Sequence, residues 1–170
     1  FVGSDFSRKG LDRAILGLRH LNEKNISSNL VVIGDDKSKP YENLLTDASL
    51  SKKVHFLGPR KDVASFMKSA DLLIHPAREE AAGNIIIEAL VSGLPSLVTS
   101  EVGFSSEVLK FRSGTVLEGE FNQNRFNLLL EESVSDKNLF YVRSSISNLS
   151  DNKYFFSRFK FIADFIEETF

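Results

Sequence analysis

Short, largely apolar runs punctuate this chain. "NLVVIG" (29–34), "VHFLG" (54–58), "DLLIHP" (71–76) and "PSLVTS" (95–100) are separated by longer segments that suit helices. That alternation constrains the fold more than any other feature. A strand that is apolar on both faces belongs inside a covered sheet, and a helix between two such strands returns the chain so that they run parallel. Right-handed crossovers then predict an α/β fold, a Rossmann-like doubly wound parallel β-sheet flanked by helices.

The remaining segments fit this frame. "FVG" (1–3) reads as a short strand. "GLDRAILGLRHLNEKN" (10–25) follows it, with Leu11, Ile15, Leu18 and Leu21 at helical spacing. Helices are expected over 40–50, 61–70 and 84–93, the last stopped by Gly93, and a sixth strand over 114–117. From about residue 122 to 170 the chain reads as helical, with Phe155, Phe159, Ile162 and Ile166 on one face. There are no repeats, linkers or low-complexity tracts, so residues 1–170 are expected to form a single domain.

With 170 residues, 42% hydrophobic and 26% charged, the chain has the composition of a globular domain and carries no apolar run of membrane-spanning length. A net charge of −2 gives no general reason to expect nucleic acid. With no cysteine there is no disulfide framework, which suits the cytoplasm. The opening "FVGSDFSRKG" lacks an initiator Met and starts almost inside a strand. We therefore expect a piece of a longer protein.

Sheets of this kind bind ligands beyond the carboxyl ends of their strands, so the loops at 4–9, 34–39, 58–61, 76–83 and 100–106 hold the candidate sites. In the first, Gly3 and Gly10 bracket Arg8 and Lys9 just before a helix. A helix start favours anions, so two cations there suggest an anion shared between them and the helix end. A solvated basic pair explains the residue types equally well. In the fourth, "AREEAAG" leads into a helix beginning near Asn84. Ala81, Ala82 and Gly83 are small enough to let a phosphate approach the free amides of the first turn. Glu88 lies in an otherwise apolar stretch, where an ionised carboxylate needs partners. Ribose hydroxyls would serve, and so would a structural ion pair with a Lys or Arg. If residues 80–88 were all helical, Glu80 and Glu88 would stand about 12 Å apart along the axis. That is near the span from a ribose to a sugar across a diphosphate. The glycine fingerprint of dinucleotide-binding domains and the Walker loop are both missing. Asp35 and Asp36 read as a loop cap, His75 as a hydrogen-bonded, half-buried residue, and His20 and His55 lack partners at metal-ligand spacing.

"EEAAGNIIIEAL" (79–90) contains the E-x7-E pattern, Glu80 to Glu88, and is followed by "SGLPSLVT" (92–99). With "VGSDFSRKGLDRAI" near the start, these segments resemble the C-terminal, nucleotide-sugar-binding domain of retaining GT-B glycosyltransferases, the family often numbered four. The resemblance covers the chain to about residue 135. Within the family the same segments look particularly like the bacterial lipopolysaccharide core glucosyltransferases. The resemblance implies that Arg8 and Lys9 hold the donor diphosphate and stabilise the leaving nucleotide. Backbone N–H groups at Gly83 and Asn84 assist at the helix end, Gly3 and Ala82 line the same donor site, Glu88 takes the ribose hydroxyls and Glu80 faces the sugar. Backbone near Arg60 borders the base. No metal or other cofactor is implied, because cations and a helix end offset the leaving-group charge. UDP-glucose as donor, a surface-glycan acceptor and a location at the inner face of the bacterial inner membrane come from the subfamily likeness alone.

Two departures stand out. Gly3-Ser4 occupies a position where many relatives carry Gly-Arg, which leaves Arg8 to substitute, and "VIGDD" lacks a second glycine often found there. The acceptor-binding N-terminal domain of such enzymes is not in this sequence. The expected partners are thus a nucleotide-sugar donor and that second domain, through which any peripheral membrane contact would run, with no nucleic acid. Taken alone, the chain is expected to bind donor and turn over little. A UDP-sugar epimerase or hydrolase of the same fold, and a silent Rossmann-like binding module, are the rival readings.

Overall fold

The computed structural model describes residues 1–148. Helix α1 (Leu11–Glu23) leads into strand β1 (Leu30–Ile33). Strand β2 (Val54–Gly58), helix α3 (Val63–Ser69) and strand β3 (Leu73–His75) follow. Then come helix α4 (Asn84–Val91) and strand β4 (Ser96–Thr99). Helix α5 (Ser105–Lys110) precedes strand β5 (Gly114–Leu117), and helices α6 (Gln123–Ser133) and α7 (Asp136–Ser147) end the described chain. Between β1 and β2 the expected single helix is instead a 3-10 segment, Lys39–Leu45, followed by the one-turn helix α2 (Ala48–Ser51). Asp47 divides them, its carboxylate accepting the Ser49 N–H at 2.7 Å and capping the second piece. The expected apolar face at Phe155, Phe159, Ile162 and Ile166 lies outside the described residues.

The strands are parallel, as expected, although β2 alternates between buried and exposed positions rather than being apolar on both faces. They form two ladders, β1 with β2 and β3–β4–β5 in that order. Val2 adds a parallel bridge to Ile33, and the Phe1 ring stacks on His75 at the end of β3, so the first residues lie between the ladders. All four residues of β4 are buried, as expected of a strand covered on both faces. Helix α1 turns Leu11, Ala14, Ile15 and Leu18 into a core shared with Phe6, Val32 and Tyr41, while Leu21 joins Leu97, Leu117, Phe126 and Leu130. Among the described residues, no helix is long and apolar enough to cross a membrane.

Two glycines fix how the helices start. Gly10 precedes α1 at φ 77°, and a Cβ there would stand 2.1 Å from the Pro76 carbonyl oxygen. Gly83 precedes α4 at φ 79°, where a Cβ would meet Val102 at 2.4 Å. Both positions need a left-handed backbone and bare space, which glycine alone supplies at no steric cost. They press the start of α1 and the start of α4 against the same edge of the sheet.

Candidate functional site

That edge carries a compact charged cluster. Arg8 and Lys9 sit in the turn before α1, Glu80 in the loop between β3 and α4, and His75 at the last position of β3. Backbone contacts lace the two loops together. The Arg78 N–H donates to the Arg8 carbonyl at 2.8 Å, and Arg8 Nη1 donates to the Glu79 carbonyl at 3.2 Å. From the other side, the Glu80 N–H donates to the Glu101 carbonyl and the Gly103 N–H donates to the Glu80 carbonyl. A Cβ on Gly103 would fall 2.1 Å from the Ala81 carbonyl oxygen, so this glycine lets the 80–83 loop settle. The signal for it was a glycine in the loop after β4, whose packing partner only the fold reveals.

Within the cluster the carboxylate of Glu80 is the hub. Lys9 Nζ donates to Glu80 Oε2, Arg8 Nη1 lies 3.7 Å from the same oxygen, and His75 Nε2 lies 3.9 Å from it. Gly3 makes room for this, since a Cβ there would strike the Lys9 stem at 2.5 Å. Partial burial works against ionising Glu80, but the Lys9 hydrogen bond and charge, aided by Arg8, outweigh it and hold its pKa below the usual value. Lys9 is 13% exposed and Glu80 14%, while Arg8 keeps 40% of its side chain in solvent and is steadied by Asp5 at 3.1 Å. Asp5 is a contact the sequence reading missed. Its left-handed φ of 56°, which aspartate tolerates, is what aims it back at Arg8.

His75 departs from expectation. It is fully buried rather than half-buried, and neither ring nitrogen has a hydrogen-bond partner among the described residues. Burial, with the positive charge of Lys9, pushes its pKa down to about 4, so the ring is neutral near neutral pH.

The second carboxylate of the pattern is placed differently. Helix α4 starts at Asn84 and residue 80 instead bridges to Val102, so the 12 Å helical spacing does not apply. Glu88 lies one turn along α4 from Asn84, half-buried, and among the described residues no Lys or Arg pairs with it. The alternative of a structural ion pair finds no support there. Burial alone raises the Glu88 pKa. No side chain caps the first turn of α4, and Ala81, Ala82 and Asn84 are exposed beside the buried Gly83.

Arg60 follows β2 and does not join the cluster through its side chain. It is held by Asp62 at 2.7 and 2.8 Å and lies over the Phe66 ring. Asp36 behaves as the loop cap expected of it, accepting the Phe6 and Lys37 N–H groups at 2.7 Å each.

Comparison with known proteins gives concordant matches. The model of the family described as glycosyl transferases group 1 matches residues 1–148. The lipopolysaccharide glucosyltransferase WaaG of Escherichia coli K12 is 40% identical over 139 residues, covering 81% of this chain and 37% of that protein. An uncharacterized glycosyltransferase of Methanocaldococcus jannaschii, MJ1178, is 30% identical over 142 residues, covering 82% and 38%. The crystal structure of WaaG superposes with a TM-score of 0.84 at 34% identity, over 97% of this chain and 46% of that one. A C-terminal domain of a group 1 family protein from Francisella tularensis shares the fold at TM-score 0.73 and 21% identity, over 91% and 83%. The chain thus spans well under half the length of the curated relatives it matches.

Proposed function

This chain belongs to the group 1 glycosyl transferases and has the α/β fold of their C-terminal domain; from that premise we propose that it binds a UDP-sugar, UDP-glucose first, as donor for retaining hexosyl transfer to a lipopolysaccharide or other surface glycan. The observation that carries this reading is the meeting of Arg8 and Lys9 with Glu80, which lies 71 residues beyond Lys9 in sequence, beside the uncapped start of α4. Relatives support the ligand class: WaaG is named a lipopolysaccharide glucosyltransferase, and a fold neighbour from Anabaena, HepE, is known in complex with UDP-glucose.

In this reading the diphosphate rests against the amides of Gly83 and Asn84, where the helix end favours negative charge. Arg8 reaches it from solvent, and Lys9 turns to it from Glu80. Glu88 accepts two ribose hydroxyls, which supply the hydrogen bonds its burial demands. Glu80 faces the sugar near its reacting carbon, backbone of Gly3 and Ala82 lines the site, and backbone near Arg60 borders the base. As the bond from the anomeric carbon to the diphosphate breaks, the growing phosphate charge meets two cations and a helix end already in place. The acceptor oxygen attacks from the same face and passes its proton to the departing phosphate. The acceptor itself would be held by a second domain, and the site asks for no metal.

One observation favours a rival. Lys9 is already paired with Glu80 and mostly covered, which suits a silent module. Titration calorimetry with UDP and UDP-glucose separates the two. The donor reading expects binding by this chain that Lys9→Ala and Glu88→Ala each weaken at least tenfold. No binding at millimolar nucleotide, or unaltered binding by Glu88→Ala, overturns it. Product analysis with an acceptor distinguishes transfer from epimerisation or hydrolysis.

A further inference from the structure

His75 is a buried titratable group that the donor reading leaves without a task. It closes β3, its backbone paired with Val98, and its ring is clamped on one side by Phe1 at 6.4 Å between centroids. Neither nitrogen has a protein partner among the described residues, although the ring is wholly shielded from solvent. A buried, unsatisfied donor costs on the order of 1–3 kcal/mol, so a position like this calls for an explanation. The carboxylate that faces it is that of Glu80, with Oε2 3.9 Å from Nε2. That is too far for a direct hydrogen bond. A shift of about 1 Å would bring the two into contact. The same oxygen is held by Lys9 and approached by Arg8 at 3.7 Å.

We propose that His75 is a positioning residue for Glu80, whose Nε2–H takes over the carboxylate when a donor diphosphate draws Lys9 away. The inference rests on the donor reading given above. Without a replacement, the departure of Lys9 would leave Glu80 a partly buried anion facing the sugar with only Arg8 at long range. Such a carboxylate would either take up a proton or turn toward solvent. A neutral imidazole solves this because it donates one hydrogen bond and adds no positive charge next to the phosphate cations. The carboxylate also selects the tautomer, since an unprotonated Nε2 lone pair facing Oε2 would be repelled. Arg8 is poorly placed for the task, its Nε bound to Asp5 and its Nη1 to the Glu79 carbonyl.

The direct test is imidazole nitrogen NMR on the wild-type chain, whose three histidines keep assignment simple. On saturation with UDP-glucose, the His75 Nε2 proton should move downfield and exchange more slowly with solvent, while His20 and His55 stay unchanged. Binding of UDP-glucose with no change at His75 overturns the proposal and leaves the donor reading standing. Failure to bind either UDP or UDP-glucose overturns both. As a second arm, His75→Phe keeps the ring shape without the donor, and His75→Gln restores a donor near the Nε2 position. The preference for UDP-glucose over UDP should fall about tenfold in the Phe variant and return to within about threefold in the Gln variant. An unmoved preference, or equal loss in both variants, is the opposing result. A merely structural histidine would weaken both nucleotides alike.

Discussion

Glu80 and Glu88 belong to one eight-residue spacing, yet the fold gives them opposite surroundings. Glu80 sits in a loop among cations and a neutral ring, and its proton is held off by Lys9 and Arg8 despite partial burial. Glu88 sits on a helix among Ile86, Ile87 and Ala89, without an ion pair among the described residues, and burial alone raises its pKa. Two carboxylates whose environments push their proton affinities apart are suited to different work. The first is fixed as an anion before any ligand arrives. The second pays a desolvation cost that hydroxyl donors would relieve. In a domain that only needed stability, Glu88 would be better replaced by a neutral residue.

Acid should separate the two neighbourhoods most strongly. His75 is buried neutral, with a folded pKa of about 4 against an ordinary 6.5. Between these values the unfolded chain binds the extra proton, so its contribution to stability falls as pH drops through that window. The full loss is about 3 kcal/mol from the width of the window. Glu80, with its lowered pKa, adds a further loss only below about pH 4.5, as the pH falls through its folded value. Glu88 acts in the opposite sense, since the folded state takes up its proton first and gains relative stability as pH falls toward 4.5. Urea unfolding at a series of pH values should show wild type losing about 3 kcal/mol more than His75→Phe between pH 7 and pH 4. Parallel curves would mean that the ring is not buried neutral.

Lys9→Met tests the preset side of the comparison at neutral pH. It removes the cation that the donor reading assigns to the diphosphate, together with the Glu80 partner, and on that reading UDP affinity should drop about 100-fold, near 2.7 kcal/mol. Calorimetry reads this directly, and a loss below about threefold would place the diphosphate elsewhere.

Glu88→Gln tests the other side, and here stability and binding should part company. Removing the buried charge should raise Tm by roughly 2 °C, while UDP affinity falls about tenfold. Thermal melts and calorimetry on one sample suffice. Loss of both would mean that Glu88 is a structural group after all.

Much of this was legible in the chain because the signals are local. Apolar runs of strand length and the 3.6-residue rhythm of 10–25 and 84–93 placed most elements within a few residues. Helix α5 was missed because "SSEVLK" offers only two apolar residues and no capping side chain. The 40–50 segment was misread because Asp47 caps a fresh turn inside it. The site divided along the same line. Loop positions named Arg8, Lys9 and Glu80 as candidates, but their convergence depends on strands brought side by side from distant parts of the chain. His75 was misjudged for that reason, since sequence shows a strand-end histidine and nothing of the Phe1 ring or the distance to Glu80 that define it.

The smallest effect belongs to Asp5, and it bears on how far the preset side extends. Asp5 binds Arg8 through both its side chain and the Arg8 N–H, and this holds the Asp5 pKa low. The pair is exposed, so solvent screens the link and it contributes little. Asp5→Asn suits the left-handed backbone and keeps one acceptor while removing the charge. UDP affinity should change less than threefold, and more weakly still at high salt, because an exposed charge is screened. A tenfold loss would make Arg8 as dependent on its holder as Glu80 is on Lys9. The preset half of the site would then reach from the solvent edge to the end of β3 as one unit.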